Sequence, residues 1–218
     1  MPDVLRGRSE IAWRFLDRFL RCLALALILS AFAAAAPHAQ EAAPRTVVST
    51  FQDALLATMK EAGPLGFEGR YKRLQPAMES AFDLEQMTRI VVGVRWAKLS
   101  EAERTQVVDL FRRFSVSTYA SEFTGYGGEQ FEIGGDRAQA GVGTIVETRL
   151  VLKNDKPVAL NYLLRQTSQG WKIVDVYLDG SISELARRRD EFASIIRAQG
   201  VDGLIALLKK KNDELAGS

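Results

Sequence analysis

The sequence is poor in the residues that carry most enzyme chemistry, since it contains one cysteine, Cys22, and one histidine, His38. Both lie within residues 1–39, so the chain that follows contains neither. Residues 40–218 therefore offer no disulfide, no thiolate nucleophile, no histidine base and no thiolate or imidazole metal ligand. A carboxylate pair or a Ser/Lys pair could still act, but no spacing distinguishes such a pair from surface charge. We predict no catalytic residues, no metal and no cofactor.

The N-terminal segment has the three-part pattern of a secretory signal peptide. Five arginines precede an apolar run from Cys22 to Ala36, and small residues follow that run. The run is shorter than the about 20 residues that a helix needs to cross a bilayer. We expect a cleaved signal peptide over residues 1–39, with the cut between Ala36 and Ala42, and one mature domain over 40–218. A retained anchor helix is the alternative.

The positive net charge of the whole chain comes from this N-terminal segment. Residues 40–218 contain equal numbers of basic and acidic residues. A nucleic-acid-binding domain usually carries a basic face and a high isoelectric point. We therefore expect no nucleic-acid partner.

Apolar residues in the first half of the mature chain recur with helical spacing. The first predicted helix has Val47, Phe51, Leu55 and Met59 at four-residue steps and ends before Gly63-Pro64. Two further helices are predicted to begin at segments with the spacing of a capping box, Asp83 to Gln86 and Ser100 to Glu103. The pattern predicts four helices, at about 46–61, 67–81, 83–92 and 100–123.

The second half changes to a period of two, which is typical of strands. We predict four antiparallel strands, beginning at Phe131 and continuing at about 142–152, 157–166 and 171–178. The last strand is expected to place Val174, Val176 and Leu178 on one face. The opposite face of the sheet mixes apolar and charged residues, which indicates either a cavity at its edge or a second helical cover. Two helices follow, the first capped at Ser181 to Glu184 and ended at Gly200. The predicted class is α+β, with helices packed on a twisted, mainly antiparallel four-stranded sheet.

Several of these residues, in this order, resemble the periplasmic lipid carriers of the toluene-tolerance or Mla type. The N-terminal part of the resemblance lies in Phe82-Asp83, Gly93, Trp96, Phe111, Phe114 and Tyr119. The C-terminal part lies in Trp171-Lys172, Asp175-Val176, Gly180, Ser183, Arg189, Phe192 and Gly203-Leu204-Ile205. The stretch Gly180 to Ser183 is one residue longer than the usual Gly-x-Ser and looks like the hopanoid-biosynthesis-associated branch.

The resemblance implies a soluble, non-catalytic periplasmic carrier with a hydrophobic lipid pocket. Its ligand would be a phospholipid or a hopanoid, moved between an inner-membrane lipid transporter and an outer-membrane complex by transient docking. The residues expected near the pocket are Trp96, Phe114, Tyr119, Tyr162, Val174, Val176 and Tyr177. Arg189 is expected near a lipid headgroup or a protein partner, because a forked guanidinium suits a phosphodiester.

Two alternatives remain open from the sequence. Each of these apolar residues could simply fill the core of the domain, and Arg187 to Arg189 could be a solvated helix face. The whole protein could be a periplasmic α+β interaction module without a lipid ligand, in which case its core would contain no large cavity.

Overall fold

A computed structural model describes residues 43–153 and 155–217. The expected signal peptide over residues 1–39 lies outside the described residues. These described residues belong to one compact unit. None of the helices in the described part of the chain combines the length and apolar character needed to cross a membrane.

Helices occupy the beginning and the end of the described chain. Their bounds are α1 Pro44–Lys60, α2 Ala62–Ala81, α3 Leu84–Val92, a 3₁₀ helix Gly93–Lys98, α4 Glu101–Glu122 and α5 Glu184–Ala216. Helix α5 is kinked at Gly200, whose φ of 71° leaves the helical region, so the predicted helix end at this glycine is confirmed.

The predicted caps of α3 and α4 are confirmed, and that of α5 is wrong by two residues. Asp83 accepts a hydrogen bond from the backbone N–H of Gln86 at 2.9 Å. Ser100 and Glu103 form a reciprocal capping box. Helix α5 is capped by Ser183, which accepts from Ala186 N at 2.9 Å, because Ile182 and Ser183 belong to a short strand.

The sheet has five strands in sequence order, and every neighbouring pair is antiparallel. The strands are β1 Gln130–Gln139, β2 Gly143–Val151, β3 Val158–Thr167, β4 Gly170–Leu178 and β5 Ile182–Ser183. The prediction of four strands missed β5, since two residues are too few to show a period. A tight turn with positive φ at Asp179 and Gly180 joins β4 to β5.

One face of the sheet packs against the helices and forms the main core. Phe51 of α1 is at its centre, with ring centroids 4.9 Å from Phe82, 5.4 Å from Tyr119 and 6.5 Å from Tyr162. Edge-to-face aromatic contacts of this kind add specificity to the burial of apolar area. Because side chains alternate along a strand, the residues next to these core positions point to the opposite face.

The opposite face carries a small second cluster of buried side chains, Ile145, Leu163 and Val174. Val142 and Tyr177 pack against this cluster, and no apolar helix residue in the described chain does so. The second helical cover that the sequence left open is therefore not present among the described residues.

A β-bulge in β4 explains why the predicted face of this strand is wrong for Val174. Leu163 pairs with Asp175 but Leu164 pairs with Ile173, so Val174 is an extra residue in β4. One extra residue reverses the alternation, and Val174 points to the second cluster while Ile173 and Val176 belong to the main core.

The start of β2 supplies a test of the sheet geometry. Gly143 has a φ of +147°, and a Cβ at this position would lie 2.2 Å from the backbone oxygen of Leu164. We expect Gly143→Ala to lower the free energy of unfolding by more than the about 1–3 kcal/mol typical of a strained backbone alone. Gly135→Ala is the matched control, since its Cβ would meet nothing within 4 Å. Urea denaturation with equal midpoints for the two variants would contradict this geometry.

Candidate functional site

A cavity of about 400 Å³ lies between the helices and the core face of the sheet. Helices α2, α3, α4 and α5 and strands β3 and β4 contribute its walls. The walls are mainly apolar and include Leu84, Met87, Phe111, Phe114, Leu160, Val176, Leu178 and Leu185. A volume of this size is typical of a ligand site, since well-packed protein interiors leave few voids larger than a water molecule.

Four of the residues predicted near the pocket line this cavity. Phe114 and Tyr119 come from α4, Tyr162 from β3, and Val176 from β4. Tyr162 and Val176 are directly opposite each other in the β3–β4 ladder. The helical stripe of α4 and the core face of the sheet therefore converge on the same space.

The two tyrosines keep the cavity uncharged at its aromatic end. Burial raises the pKa of Tyr162 to about 12, and the Gln52 amide opposes part of that shift. Burial also raises the pKa of Tyr119 well above its ordinary value. Both phenols are neutral near pH 7, which suits contact with an apolar ligand.

Three other predicted residues do not line the cavity. Trp96 lies in the 3₁₀ helix, where its ring is 5.5 Å from the Arg89 guanidinium and 5.7 Å from that of Arg104. Val174 and Tyr177 lie at the second cluster on the opposite face of the sheet. The bulge in β4 moves Val174 there, and Tyr177 alternates with the inward-facing Val176.

Arg189, the predicted headgroup or partner residue, is also outside the lining of the cavity. Its side chain is half exposed and lies 3.9 Å from Asp190. Its neighbours Arg187 and Arg188 line the cavity instead. Three consecutive residues of a helix point in different directions around its axis. Because all three are arginine here, the sequence does not indicate which of them points inward.

The two inward arginines are held in different ways. Arg187 makes two hydrogen bonds to the Glu184 carboxylate, at 3.2 and 2.6 Å. The Arg188 guanidinium lies 4.7 Å from the ring centroid of Phe114 and donates to Glu191 at 3.3 Å. Glu191 is also 3.1 Å from Lys211. The exposed lining residues Arg187 and Glu122 define the mouth of the cavity, which therefore carries guanidinium groups beside an aromatic wall.

Asp175 connects the sheet to the helix that carries these arginines. Its Oδ1 accepts from Val176 N at 2.8 Å and from Leu185 N at 3.1 Å, and its Oδ2 accepts from Ser183 Oγ at 2.6 Å. The residue also borders the cavity. A carboxylate at a helix N-terminus satisfies unpaired N–H groups and complements the helix dipole. Asp175 thereby fixes the first turn of α5 against β4.

Burial is the largest influence on Asp175 and raises its pKa, while the bonds from Ser183, Leu185 and Val176 oppose that rise. An acid whose pKa is higher in the folded than in the unfolded protein binds its proton more tightly when folded. The free energy of unfolding therefore falls as the pH rises through the interval from the ordinary pKa to the raised one. Above this interval the charged carboxylate remains, held by its three donors.

Sequence reasoning missed Asp175 as a positioning residue, although it quoted the residue in the family motif. It also missed Glu122, which borders the mouth at the last turn of α4.

No group of histidine, cysteine, aspartate and glutamate side chains in the described ranges could hold a metal ion. The arrangement can enclose an apolar chain or ring system and present charges to its polar end.

An apolar cavity with a charged mouth, set between a helical layer and an antiparallel sheet, defines the class as a binding protein for an amphiphile. The model of the MlaC protein family matches residues 49–210, and the chain belongs to this family. The family resemblance predicted from the motifs is thereby confirmed. Proteins of this family are lipid carriers and not enzymes, in agreement with the predicted absence of catalysis.

A solved structure of high similarity is the phospholipid-binding protein from Ralstonia solanacearum in complex with a phospholipid. It is 25% identical in sequence and superposes with a TM-score of 0.72. The match covers 80% of this chain and 99% of that one. The predicted α+β class is confirmed, with five strands where four were expected.

The three bonds to Asp175 can be tested by a pair of substitutions. Asp175→Ala leaves two buried N–H groups and the Ser183 hydroxyl without this acceptor, and we expect it to lower the free energy of unfolding by about 1–3 kcal/mol. Asp175→Asn keeps one oxygen for the two N–H groups and should lose less. Chemical denaturation at pH 7 measures both, and an alanine variant as stable as the wild type would refute the connecting role.

Proposed function

We propose that this protein is a periplasmic lipid carrier that holds the apolar part of one lipid in its cavity. Phe114, Tyr119, Tyr162 and Val176 contact the acyl chains or the ring system, and the polar part lies at the mouth. The single observation that supports this function is the largely apolar cavity of about 400 Å³ in a chain of the MlaC family.

The energetics of burial are sufficient for carriage without covalent chemistry. Each methylene group removed from water contributes about 0.8 kcal/mol, so about ten methylenes contribute roughly 8 kcal/mol before the costs of ordering. Such a ligand remains bound during passage through water, yet exchanges at a membrane or a partner protein that offers an equivalent apolar environment.

The cargo is a phospholipid or a hopanoid. The phospholipid in the complex of the Ralstonia solanacearum protein supports the first. The longer stretch from Gly180 to Ser183, which includes the end of the turn and strand β5, supports the second through its resemblance to the hopanoid-associated branch. Both ligands would travel between an inner-membrane transporter and an outer-membrane complex.

A signal peptide over residues 1–39 directs export to the periplasm and is removed from the mature protein. The pattern of arginines, apolar run and small residues supports this proposal. The intact mass of protein released by osmotic shock tests it, because a chain that begins between residues 37 and 43 lacks the mass of the segment. A full-length mass in the membrane fraction would instead establish a retained anchor.

The cavity counts against a protein-interaction module without a ligand, whose core would be filled. Purification without detergent, organic extraction and mass spectrometry separate the two functions. The carrier yields about one lipid per protein and reveals whether it is a phospholipid or a hopanoid. A protein that is empty and also takes up no labelled lipid would overturn the proposal.

A bulky side chain in the cavity should prevent loading. Val176 is buried and lines the cavity, so Val176→Trp directs an indole into the space of the ligand. Loss of room for two or three methylenes, at about 0.8 kcal/mol each, weakens binding at least about tenfold. Co-purified lipid, measured by mass spectrometry, should fall accordingly while the circular dichroism spectrum stays native.

Val94→Trp is the matched control for this substitution. Val94 is 90% exposed in the 3₁₀ helix and does not line the cavity. It should load lipid as the wild type does. Normal loading by a folded Val176→Trp protein would show that the lipid lies elsewhere.

A further inference from the structure

The mouth of the cavity carries opposite charges on two different helices. Arg187 and Arg188 come from the first turns of α5, and Glu122 comes from the last turn of α4. All three border the same cavity. Their partners within the protein determine which charge remains for a ligand.

Among the described residues, Arg187 has the Glu184 carboxylate to itself, whereas Arg188 shares the Glu191 carboxylate with Lys211. The two hydrogen bonds from Arg187 to Glu184 form a closed pair at 2.6 and 3.2 Å. Arg188 has a single described hydrogen bond, to Glu191, although a guanidinium has five N–H donors. Glu191 divides its charge between Arg188 and Lys211. Arg188 therefore retains both positive charge and free donors beside the aromatic wall.

Glu122 is the complementary group on the other helix. Ser115, Thr118 and Glu122 lie on one face of α4 and line the cavity together. The two hydroxyls donate to the backbone oxygens of Phe111 and Phe114 in their own helix. The Glu122 carboxylate has no hydrogen bond or ion pair with any residue in the described ranges. This stripe thus ends in one unpaired negative charge.

Arg188 shares its carboxylate and keeps free donors, and Glu122 has no partner among the described residues, so together the two match a headgroup that carries both charges. A phosphodiester accepts from the free donors of Arg188, and an ammonium group lies near Glu122. A purely anionic headgroup satisfies Arg188 but is repelled by Glu122. A neutral polar group satisfies neither charge.

We infer that the mouth selects a zwitterionic, amine-bearing phospholipid over an anionic one, a preference that rests on the proposed lipid-carrier function. Arg188 holds the phosphate, and Glu122 discriminates between headgroups by its charge. The apolar chains contribute affinity in both cases, so the headgroup changes the choice of lipid more than the total amount bound.

Competition between two lipids with identical acyl chains tests this inference. Purified, delipidated protein is incubated with vesicles containing equal amounts of phosphatidylethanolamine and phosphatidylglycerol, recovered and extracted. Mass spectrometry gives the total lipid and the ratio of the two headgroups. Because partly exposed charge pairs are weak, we expect about a two- to fivefold enrichment of phosphatidylethanolamine, which decreases as salt is added.

Variants of Glu122 separate the charge from the fold. Glu122→Gln should bring the headgroup ratio close to one with unchanged total lipid, and Glu122→Lys should favour phosphatidylglycerol. Glu101→Gln, at the opposite end of α4 and away from the cavity, should leave the ratio of the wild type. Normal total uptake with no headgroup preference, or a preference unchanged in Glu122→Gln, would overturn this inference and leave the carrier function intact. Failure to take up either phospholipid would overturn this inference, and a protein that also takes up no labelled hopanoid would overturn the carrier function.

Discussion

Removal of one sheet face from water is the constraint on which the rest of the structure depends. Tyr162, Leu164 and Val146 face the helices, and Phe51 packs its ring against the aromatic residues around them. Helix α1 covers this face closely, whereas α3, α4 and α5 leave a space of about 400 Å³ beside β3 and β4. Apolar side chains around such a space lack contacts that a packed core would provide. In the proposed carrier a lipid supplies those contacts, so the incompletely filled core is also the proposed binding site.

Two local features of β4, a bulge and a buried carboxylate, determine which side chains line that space. The extra residue Val174 in β4 reverses the alternation of the strand, and Val176 consequently faces the cavity. The neighbouring Asp175 accepts bonds from Ser183 and Leu185 and anchors the first turn of α5. The same short segment of β4 thus provides one wall of the cavity and positions the helix with the charged mouth. This coupling gives a physical reason for an Asp-Val pair at this point in the chain.

The sequence predicted the order of the helices and the four long strands, because caps and periodicity are local properties. The cavity is lined by four of the residues expected near a lipid pocket, Phe114, Tyr119, Tyr162 and Val176, because these lie on the stripe of one helix and the core face of two strands. Their contact with a lipid stays a prediction. The sequence did not predict the orientation of Val174, since a bulge depends on the register between strands and not on the sequence of one strand. Tyr177 was expected near the pocket although its alternation with Val176 puts it on the opposite face. The inward turn of Arg187 and Arg188 depends on the exact start of α5, which a hydrogen bond to Ser183 determines. A third reason explains why Trp96 does not line the cavity as expected. An aromatic ring can pack in an apolar cavity or against guanidinium groups, and Trp96 contacts those of Arg89 and Arg104.

Nuclear Overhauser effects between the acyl chain of a bound lipid and the methyl groups of the isotope-labelled protein test the central claim most directly. These effects act only between groups in or near van der Waals contact, so they distinguish the two faces of one strand. If the chain occupies the cavity, the methyl groups of Val176, Leu84 and Leu185 show contacts with acyl protons, while those of Val174 and Val94 show none. Contacts to Val174 without Val176 would place the lipid on the opposite face of the sheet and contradict the account.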